Sequence, residues 1–323
     1  MRKLIKYLLK RIGKGLLTLY ISITATFLII RCMPSNPVDI LVDPKLGPEV
    51  RASMIAEFGL DKSIFEQYII FWKDLFHFNL GTSFKSHEPV IDILMQKLPW
   101  TLLLLVIVVV LALLIGVPIG MAAARRKGKA FDKIVNIGVM VGVSIFVPFL
   151  SFGLMYVFAY LLKLLPTSGA YTPPPAEGFA YIIDVLKHAI LPATTLLLAN
   201  IATIVMYTRN SMLDVLNEDY IRTAYSKGLD EKTVIHRHAL KNAMIPTVTV
   251  TGIMIGTLVG GSVMTETIFA WPGIGRLVYD SVASLDYPVL QGAFIILAVT
   301  VVIINILTDL VVAWLDPRIK LGG

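Results

Sequence analysis

Cysteine is nearly absent from this sequence. The single Cys32 cannot close a disulfide within the chain, so cysteine usage says nothing about redox compartment. Charge is scarce as well: 16% of residues are Asp, Glu, Lys or Arg, against about 25% in soluble domains. A phosphate-cradling loop is missing. Gly128-Lys129 lacks both the earlier glycine and the Ser or Thr of Gly-x4-Gly-Lys-Ser/Thr, whose backbone N–H groups hold phosphates. The five histidines (His77, His87, His188, His236 and His238) form no i, i+4 pair, and His236 and His238 point to different faces of a helix. Neither His-Glu-x-x-His nor Gly-x-Ser-x-Gly occurs, and no aspartates are paired within an apolar run. These absences argue against an enzyme and predict no catalytic residue, no metal ligand set and no cofactor bound by this chain.

What is present is hydrophobic residue in long runs. They make up 56% of the chain, and the mean hydropathy is +0.76. A bilayer-spanning helix takes roughly 17–25 residues, and six runs reach that length: approximately 13–30, 100–124, 134–162, 189–207, 247–270 and 289–315. Each is expected to be helical, because an open strand would leave backbone groups unpaired in lipid. The fold class expected is therefore all-α, a polytopic membrane protein with six transmembrane helices. Pro118, Pro148 and Pro192 are expected to kink their helices without ending them. Six basic residues precede the first run as in a signal peptide, but Arg31-Cys32-Met33-Pro34 is no small-residue cleavage site, so an uncleaved first span is expected.

The net charge of +7 is distributed by topology, not gathered on a nucleic-acid-binding face. Segments 1–14, 125–133, 209–241 and 316–323 hold 19 of the 29 Lys and Arg residues, whereas 33–99 has six basic against nine acidic. The positive-inside rule puts both termini in the cytoplasm. It also makes 33–99 an extracytoplasmic segment. Within it, 48–58 reads as a helix with Gly59 past its end, and Ser63-x-x-Glu66 has capping-box spacing for a second helix. Tyr68, Phe71, Trp72, Leu75 and Phe76 make an aromatic stripe on that second helix. A small helical cap packed on the bundle is the favoured reading; a surface receiving an extracytoplasmic partner is the sharper one. Leu165-Pro166-Thr167-Ser168-Gly169 and Pro173-Pro174-Pro175 mark a short outer loop.

Ionisable residues inside the runs are few, which argues against an ion-coupled secondary transporter with a midplane ion cluster. Asn305 and Asp309 are read as bonding a neighbouring helix, Asn200 as bridging helices, and Glu266 as an anchor ahead of a pathway residue. Gly252, Gly256 and Gly260 recur every four residues, a strip that lets another helix approach closely as packing or as a translocation seam. Gly116/Gly120 and Gly138/Gly142 repeat it more weakly.

The segment 214–246 is charged and sits between two apolar runs. It reads as helix, glycine break, helix. Glu218 and Asp219 suit the first helix's N-terminus, Lys227 and Gly228 its end, and Asp230 can cap the next helix. Ile221, Ala224 and Tyr225 share one face; Val234, Ile235 and His238 share another. A lipid-surface helix is the alternative, but mixed charge and small residues at the turn suit a protein socket better.

Tyr220-Ile221-Arg222-Thr223-Ala224-x3-Gly228, followed by His238-Ala239-Leu240-Lys241-Asn242-Ala243 and Pro246, resembles the EAA coupling loop of bacterial ABC importer permeases. The resemblance is to the dipeptide, oligopeptide and nickel branch. Leu165-Pro166-Thr167-Ser168-Gly169, Glu266-x2-Phe269-x-Trp271-Pro272-Gly273-x-Gly275, Asp286-Tyr287-Pro288, Asp316-Pro317-Arg318 and Pro34-Ser35-Asn36-Pro37 extend it over nearly the whole chain. Arg222-Thr223-Ala224 stands where the signature has Glu-Ala-Ala, and the usual later proline is displaced to Pro246.

The resemblance implies a permease subunit in a bacterial cell membrane that pairs with a second, homologous permease subunit. It further implies two separate ATP-binding subunits, which hold ATP and Mg, and an extracytoplasmic substrate-binding protein. No nucleic acid is expected; membrane lipid is. Residues 1–99 would be the first span plus cap, and 100–323 the core permease domain carrying the loop. Tyr220, Ile221, Arg222, Thr223, Ala224, Gly228, Leu229, His238, Leu240, Asn242 and Pro246 would form the ATPase-coupling loop. Gly252, Gly256, Gly260 and Glu266 would form a packing or translocation seam. Peptide is the expected cargo, with nickel as the alternative.

Overall fold

The computed structural model describes residues 2–32 and 61–315, together with Ser53 and Ile55. Among the described residues the secondary structure is helical, apart from an isolated bridge between Thr82 and Pro89. The expected helix over 48–58 and the motifs at 34–37 and 316–318 lie outside them.

The helices are α1 (Arg2–Arg31), α2 (Ile64–Phe76), α3 (Val90–Arg125), α4 (Ala130–Val143), α5 (Val147–Leu154), α6 (Phe179–Leu216), α7 (Asp219–Ser226), α8 (Glu231–Thr233), α9 (Leu240–Ile268), α10 (Ile274–Ala283) and α11 (Tyr287–Leu315). π-helical turns over Met155–Leu161 and Val234–Ala239 continue α5 and join α8 to α9. Among the described residues five helices are long and apolar enough to cross a membrane, and a sixth crossing is reached when α4 and the arm Val147–Leu161 are taken together.

Two expectations need correction. The third run is not one kinked helix: α4 and the arm from Val147 to Leu161 meet at 100° across a break at Ser144–Phe146. Pro148 has no N–H to give the Ser144 carbonyl, and it stands in the first turn of α5, where that loss costs nothing. It starts a helix here, whereas Pro118 and Pro192 lie inside α3 and α6. The second correction concerns length. α3 and α6 start at Val90 and Phe179, about ten residues before their apolar runs, because hydropathy marks only the lipid-facing part of a helix.

Small residues set the core. An added Cβ on Gly120 would meet the Val205 carbonyl at 2.7 Å and Thr208 Cβ at 2.8 Å, and one on Gly116 would meet Ile204 at 2.9 Å. α3 therefore meets the backbone of α6 directly at Gly120, whereas the atoms nearest Gly252 belong to a side chain. Leu104, Val108, Ala112, Ala189, Ala193 and Ile204 bury the same interface. α4 closes on α6 through Gly142, whose added Cβ would meet Ala202 Cβ at 2.7 Å. α1 runs beside α11, where Arg11 pairs with Asp309 at 3.0 Å, the interhelical partner expected of Asp309. Asn200 does not bridge helices; its amide donates to the Leu196 carbonyl of its own helix at 2.8 Å.

The aromatic stripe of α2 packs along α1. Ser63 and Glu66 form the capping box, with Glu66 N donating to Ser63 Oγ and Ser63 N to Glu66 Oε2. Tyr20 stacks on Trp72 at 5.4 Å, Phe27 on Phe71 at 5.4 Å, and Thr24 meets the Tyr68 hydroxyl at 2.9 Å.

Candidate coupling surface

At the end of the bundle where α3 finishes, the chain leaves α6, forms the short α7, turns at Gly228 and re-enters through α8 and the π-helical segment into α9. The turn is a Schellman motif: Gly228 N donates to the Tyr225 carbonyl at 2.9 Å and Leu229 N to the Ala224 carbonyl at 3.4 Å. Gly228 takes φ +78°, a left-handed conformation that L side chains rarely adopt, although nothing lies within 4 Å of where a Cβ would project. Asp230 then caps α8. It accepts from the Thr233 hydroxyl at 2.5 Å and from Thr233 N at 3.2 Å, and these bonds, the hydroxyl's first, hold its carboxyl below the ordinary carboxylate range.

Ile221 and Ala224 are buried against Val234, Ile235, Ala239 and Ala243, and against Met212 of α6 and Ala124 of α3. This miniature core fixes the angle at which α7 stands off the bundle. Tyr225 does not share the buried face; it is 44% exposed, as 100° per residue puts it beside, not beneath, Ala224. The second half is not a free amphipathic helix: α8 and the π-helical segment run on into α9. Leu240 packs on the same core. Asn242 Nδ2 donates to the Tyr220 hydroxyl at 2.7 Å, so two residues 22 apart in sequence clamp the start of α7 to the start of α9. Arg125 at the end of α3 donates to Glu231 Oε1 through Nε at 3.1 Å and Nη2 at 2.9 Å.

The outward surface then consists of Tyr220, Arg222, Thr223, Tyr225, Leu229, His236 and Arg237, with His238 half-buried and Pro246 exposed one turn above Asn242. Arg222 and Thr223 occupy the open face, so the departure from Glu-Ala-Ala falls on solvent, while Ala224 faces the miniature core.

Sequence reading missed the brace behind this surface. Asp132, 3% exposed, accepts from Arg209 Nε at 2.6 Å and Nη2 at 2.9 Å, from Gly128 N at 2.9 Å and from Asn136 Nδ2 at 3.2 Å. It locks α4 to α6 beside the candidate coupling loop. In the sequence Arg209 is only one of the basic residues of 209–241, and Asp132 belongs to no motif. The local sign was Asp132 placed four residues after Gly128, a spacing that lets its carboxylate reach back to the N–H of the preceding turn.

The residues expected at a seam separate. Gly252 is pressed on α11, with an added Cβ 2.5 Å from Thr308 Cγ2; Gly256 has Val301 at 3.6 Å; Gly260 has nothing within 4 Å. Glu266 lies at the opposite end from the coupling loop, fully buried. It accepts from Thr101 Oγ1 at 3.0 Å and from Arg276 N at 3.1 Å, while Thr101 Oγ1 accepts from Ile274 N at 2.8 Å. Trp271 N donates to the Glu266 carbonyl and Trp271 Nε1 to the Trp100 carbonyl. The Gly273-x-Gly275 pair is needed for closeness: an added Cβ at 273 would sit 2.5 Å from Thr101 Oγ1, and at 275 2.8 Å from Val263 Cα. Gly169 N reaches the Phe269 carbonyl at 2.9 Å, drawing the outer loop onto the same junction. Asp286 similarly holds the loop after α2, accepting from Ser83 Oγ at 2.5 Å and Phe84 N at 3.1 Å.

Residues 116–321 match the family described as binding-protein-dependent transport system inner membrane component, and residues 4–105 match its N-terminal counterpart. The chain is 38% identical over 339 residues to the dipeptide transport system permease protein DppB of Escherichia coli strain K12, covering 98% of this chain and 99% of that protein. It is 38% identical over 298 residues to the oligopeptide transport system permease protein AppB of Bacillus subtilis strain 168, covering 91% and 93%. Among solved structures, an inward-facing MetNI methionine ABC transporter chain superposes with a TM-score of 0.55 at 19% identity, over 71% of this chain and 99% of that one. The fold is that of ABC permeases, and the chain belongs to the family of binding-protein-dependent transport system inner membrane components.

Proposed function

We propose that this chain is a permease subunit of an ATP-driven importer of di- or oligopeptides. One observation carries the mechanical half of the reading: a short helix, α7, is held rigidly off the bundle by its own miniature core, with Tyr220, Arg222, Thr223 and Tyr225 turned outward. A separate ATP-binding subunit would seat this helix, and closure of two such subunits around ATP and Mg would push on 220–240. The clamp from Tyr220 to Asn242 carries displacement directly into α9, and the Asp132–Arg209 brace carries it into α4 and α6. A second permease subunit would complete the path, against exposed apolar faces such as Phe146, Phe149 and Phe152. Both termini and the coupling loop lie in the cytoplasm on this reading. Residues 1–99 form the peripheral first span and cap, on which an extracytoplasmic binding protein would deliver cargo, and 100–323 form the permease core. Relatives named for dipeptide and oligopeptide transport support peptide as that cargo.

The test is reconstitution with a second permease subunit, the ATP-binding subunits and a binding protein in proteoliposomes, followed by uptake of labelled dipeptide. Uptake that needs ATP and the binding protein supports the proposal. ATP-driven nickel uptake without peptide uptake overturns the cargo, and flux through this chain alone under an ion gradient overturns the class.

A further inference from the structure

A cavity of about 350 Å³ lies between α1, α2 and the start of α11, away from the coupling surface. Two of its lining side chains carry buried donors that have no partner among the described residues. Gln291 is 6% exposed, and its Nε2 makes no hydrogen bond. Arg31 donates from Nε to Gln67 Oε1 at 2.6 Å and lies over the rings of Phe27 and Tyr287, with its guanidinium carbon 5.0 and 5.8 Å from their centroids. Its Nη1 is nonetheless buried without a partner. Buried donors are nearly always paired, so two orphans lining one cavity, unmet among the described residues, favour an acceptor that occupies it. A guanidinium already oriented by Gln67 and two rings is a preorganised fork for a carboxylate or phosphate. Lys62 adds positive charge to the lining and Asp74 a carboxylate. A ligand carrying both signs meets all four.

We propose that this cavity binds a small zwitterion, its oxyanion taking hydrogen bonds from Arg31 and Gln291 and its primary ammonium facing Asp74. The volume suits a compact ligand. A dipeptide and the headgroup of an ethanolamine phospholipid share this chemistry, and experiment separates them. The site is independent of the cargo proposed above, since its failure would leave ATP-driven peptide uptake untouched.

The test is binding to the purified full-length chain in detergent, read as a shift of the thermal unfolding midpoint. The probes are alanyl-alanine, alanyl-alanine amide, short-chain phosphatidylethanolamine and short-chain phosphatidylglycerol. Alanyl-alanine or the ethanolamine lipid should raise the midpoint, and whichever does so identifies the source. The amide, lacking the carboxylate, and the glycerol lipid, lacking the ammonium, should bind about tenfold more weakly or not at all. Gln291→Leu should abolish the shift while leaving the ligand-free midpoint no lower, because the amide has no partner to lose. Asp74→Asn, at a half-exposed position that does not threaten folding, should remove the preference for the ethanolamine lipid over the glycerol lipid. No shift with either zwitterion, an undiminished shift in Gln291→Leu, or equal binding of the amide or the glycerol lipid would overturn the assignment.

Discussion

Replacing Gly228 by Ala, Asn and Val in turn asks whether the seating of α7 depends on backbone conformation or on space. The residue sits at φ +78° with nothing within 4 Å of a projected Cβ, so side-chain volume should be irrelevant and conformational preference should decide. An L-residue in the left-handed region costs roughly 1–2 kcal/mol, which corresponds to about a 5–30-fold larger opening constant for the turn. Asn, whose side chain bonds locally, tolerates that region better than Ala, and β-branched Val tolerates it worst. The expected order of damage is therefore Asn, then Ala, then Val, although Asn is larger than Ala. Amide exchange of Gly228 and Leu229, whose N–H groups close the turn on Tyr225 and Ala224, reads this in the isolated chain. ATP-dependent peptide uptake reads it in the assembled transporter. If Asn proves worse than Ala in the isolated chain, volume governs the site and the conformational reasoning fails. If the order holds in exchange but reverses only in uptake, Gly228 is pressed against a partner subunit.

Four further expectations concern single positions. Gly120→Ala should destabilise by about 1–3 kcal/mol, and truncating Thr208 should not rescue it because the Val205 carbonyl also obstructs; Gly252→Ala should cost similarly but be partly rescued by Thr308→Ala, since there the obstacle is a side chain, and paired thermal melts check both. Thr101→Val strips a donor from buried Glu266 and an acceptor from Ile274 N, so a loss of about 1–3 kcal/mol in the unfolding free energy is expected, and an unchanged value would remove Glu266 as the anchor of that junction. Because the Asp230 carboxyl is held below its ordinary value, near 3.9, its cap is fully present at neutral pH and is lost as pH falls through that lowered value; protection of the Thr233 N–H should follow this profile in the native chain and be flat with pH in Asp230→Asn, which caps without titrating.

Much of the candidate coupling surface is legible in the chain itself. Asp219 in the first turn, Gly228 past the last and Asp230 at the next start are each local devices, acting within four residues, and each stands where the sequence placed it. What failed were inferences about direction. Tyr225 was assigned to the face of Ala224, and the face actually buried is narrower, because α7 has only two turns and touches its core through Ile221 and Ala224 alone. Asn200 bonds its own helix because an i−4 carbonyl is always within reach, whereas a neighbour is supplied only by packing. The Gly252 strip divides for the same reason: Gly252 is pressed on Thr308 while Gly260 meets nothing, because Gly-x3-Gly spacing is a property of one helix but the closeness it permits depends on what faces it.

The sequence by itself determined that the chain is a helical membrane protein, which segments are apolar enough to cross, and which family motifs it carries. Those are consequences of contiguous residues: run length against bilayer thickness, missing N–H groups at proline, caps within a turn. Only the tertiary structure decided that the third apolar run bends by 100°, that Asp132 finds Arg209 across 77 residues, and that Arg31 and Gln291 meet at one cavity with donors to spare. These pairings join helices whose relative rotation is set by the glycine seams and buried side chains between them, and no local pattern in the sequence encodes that rotation.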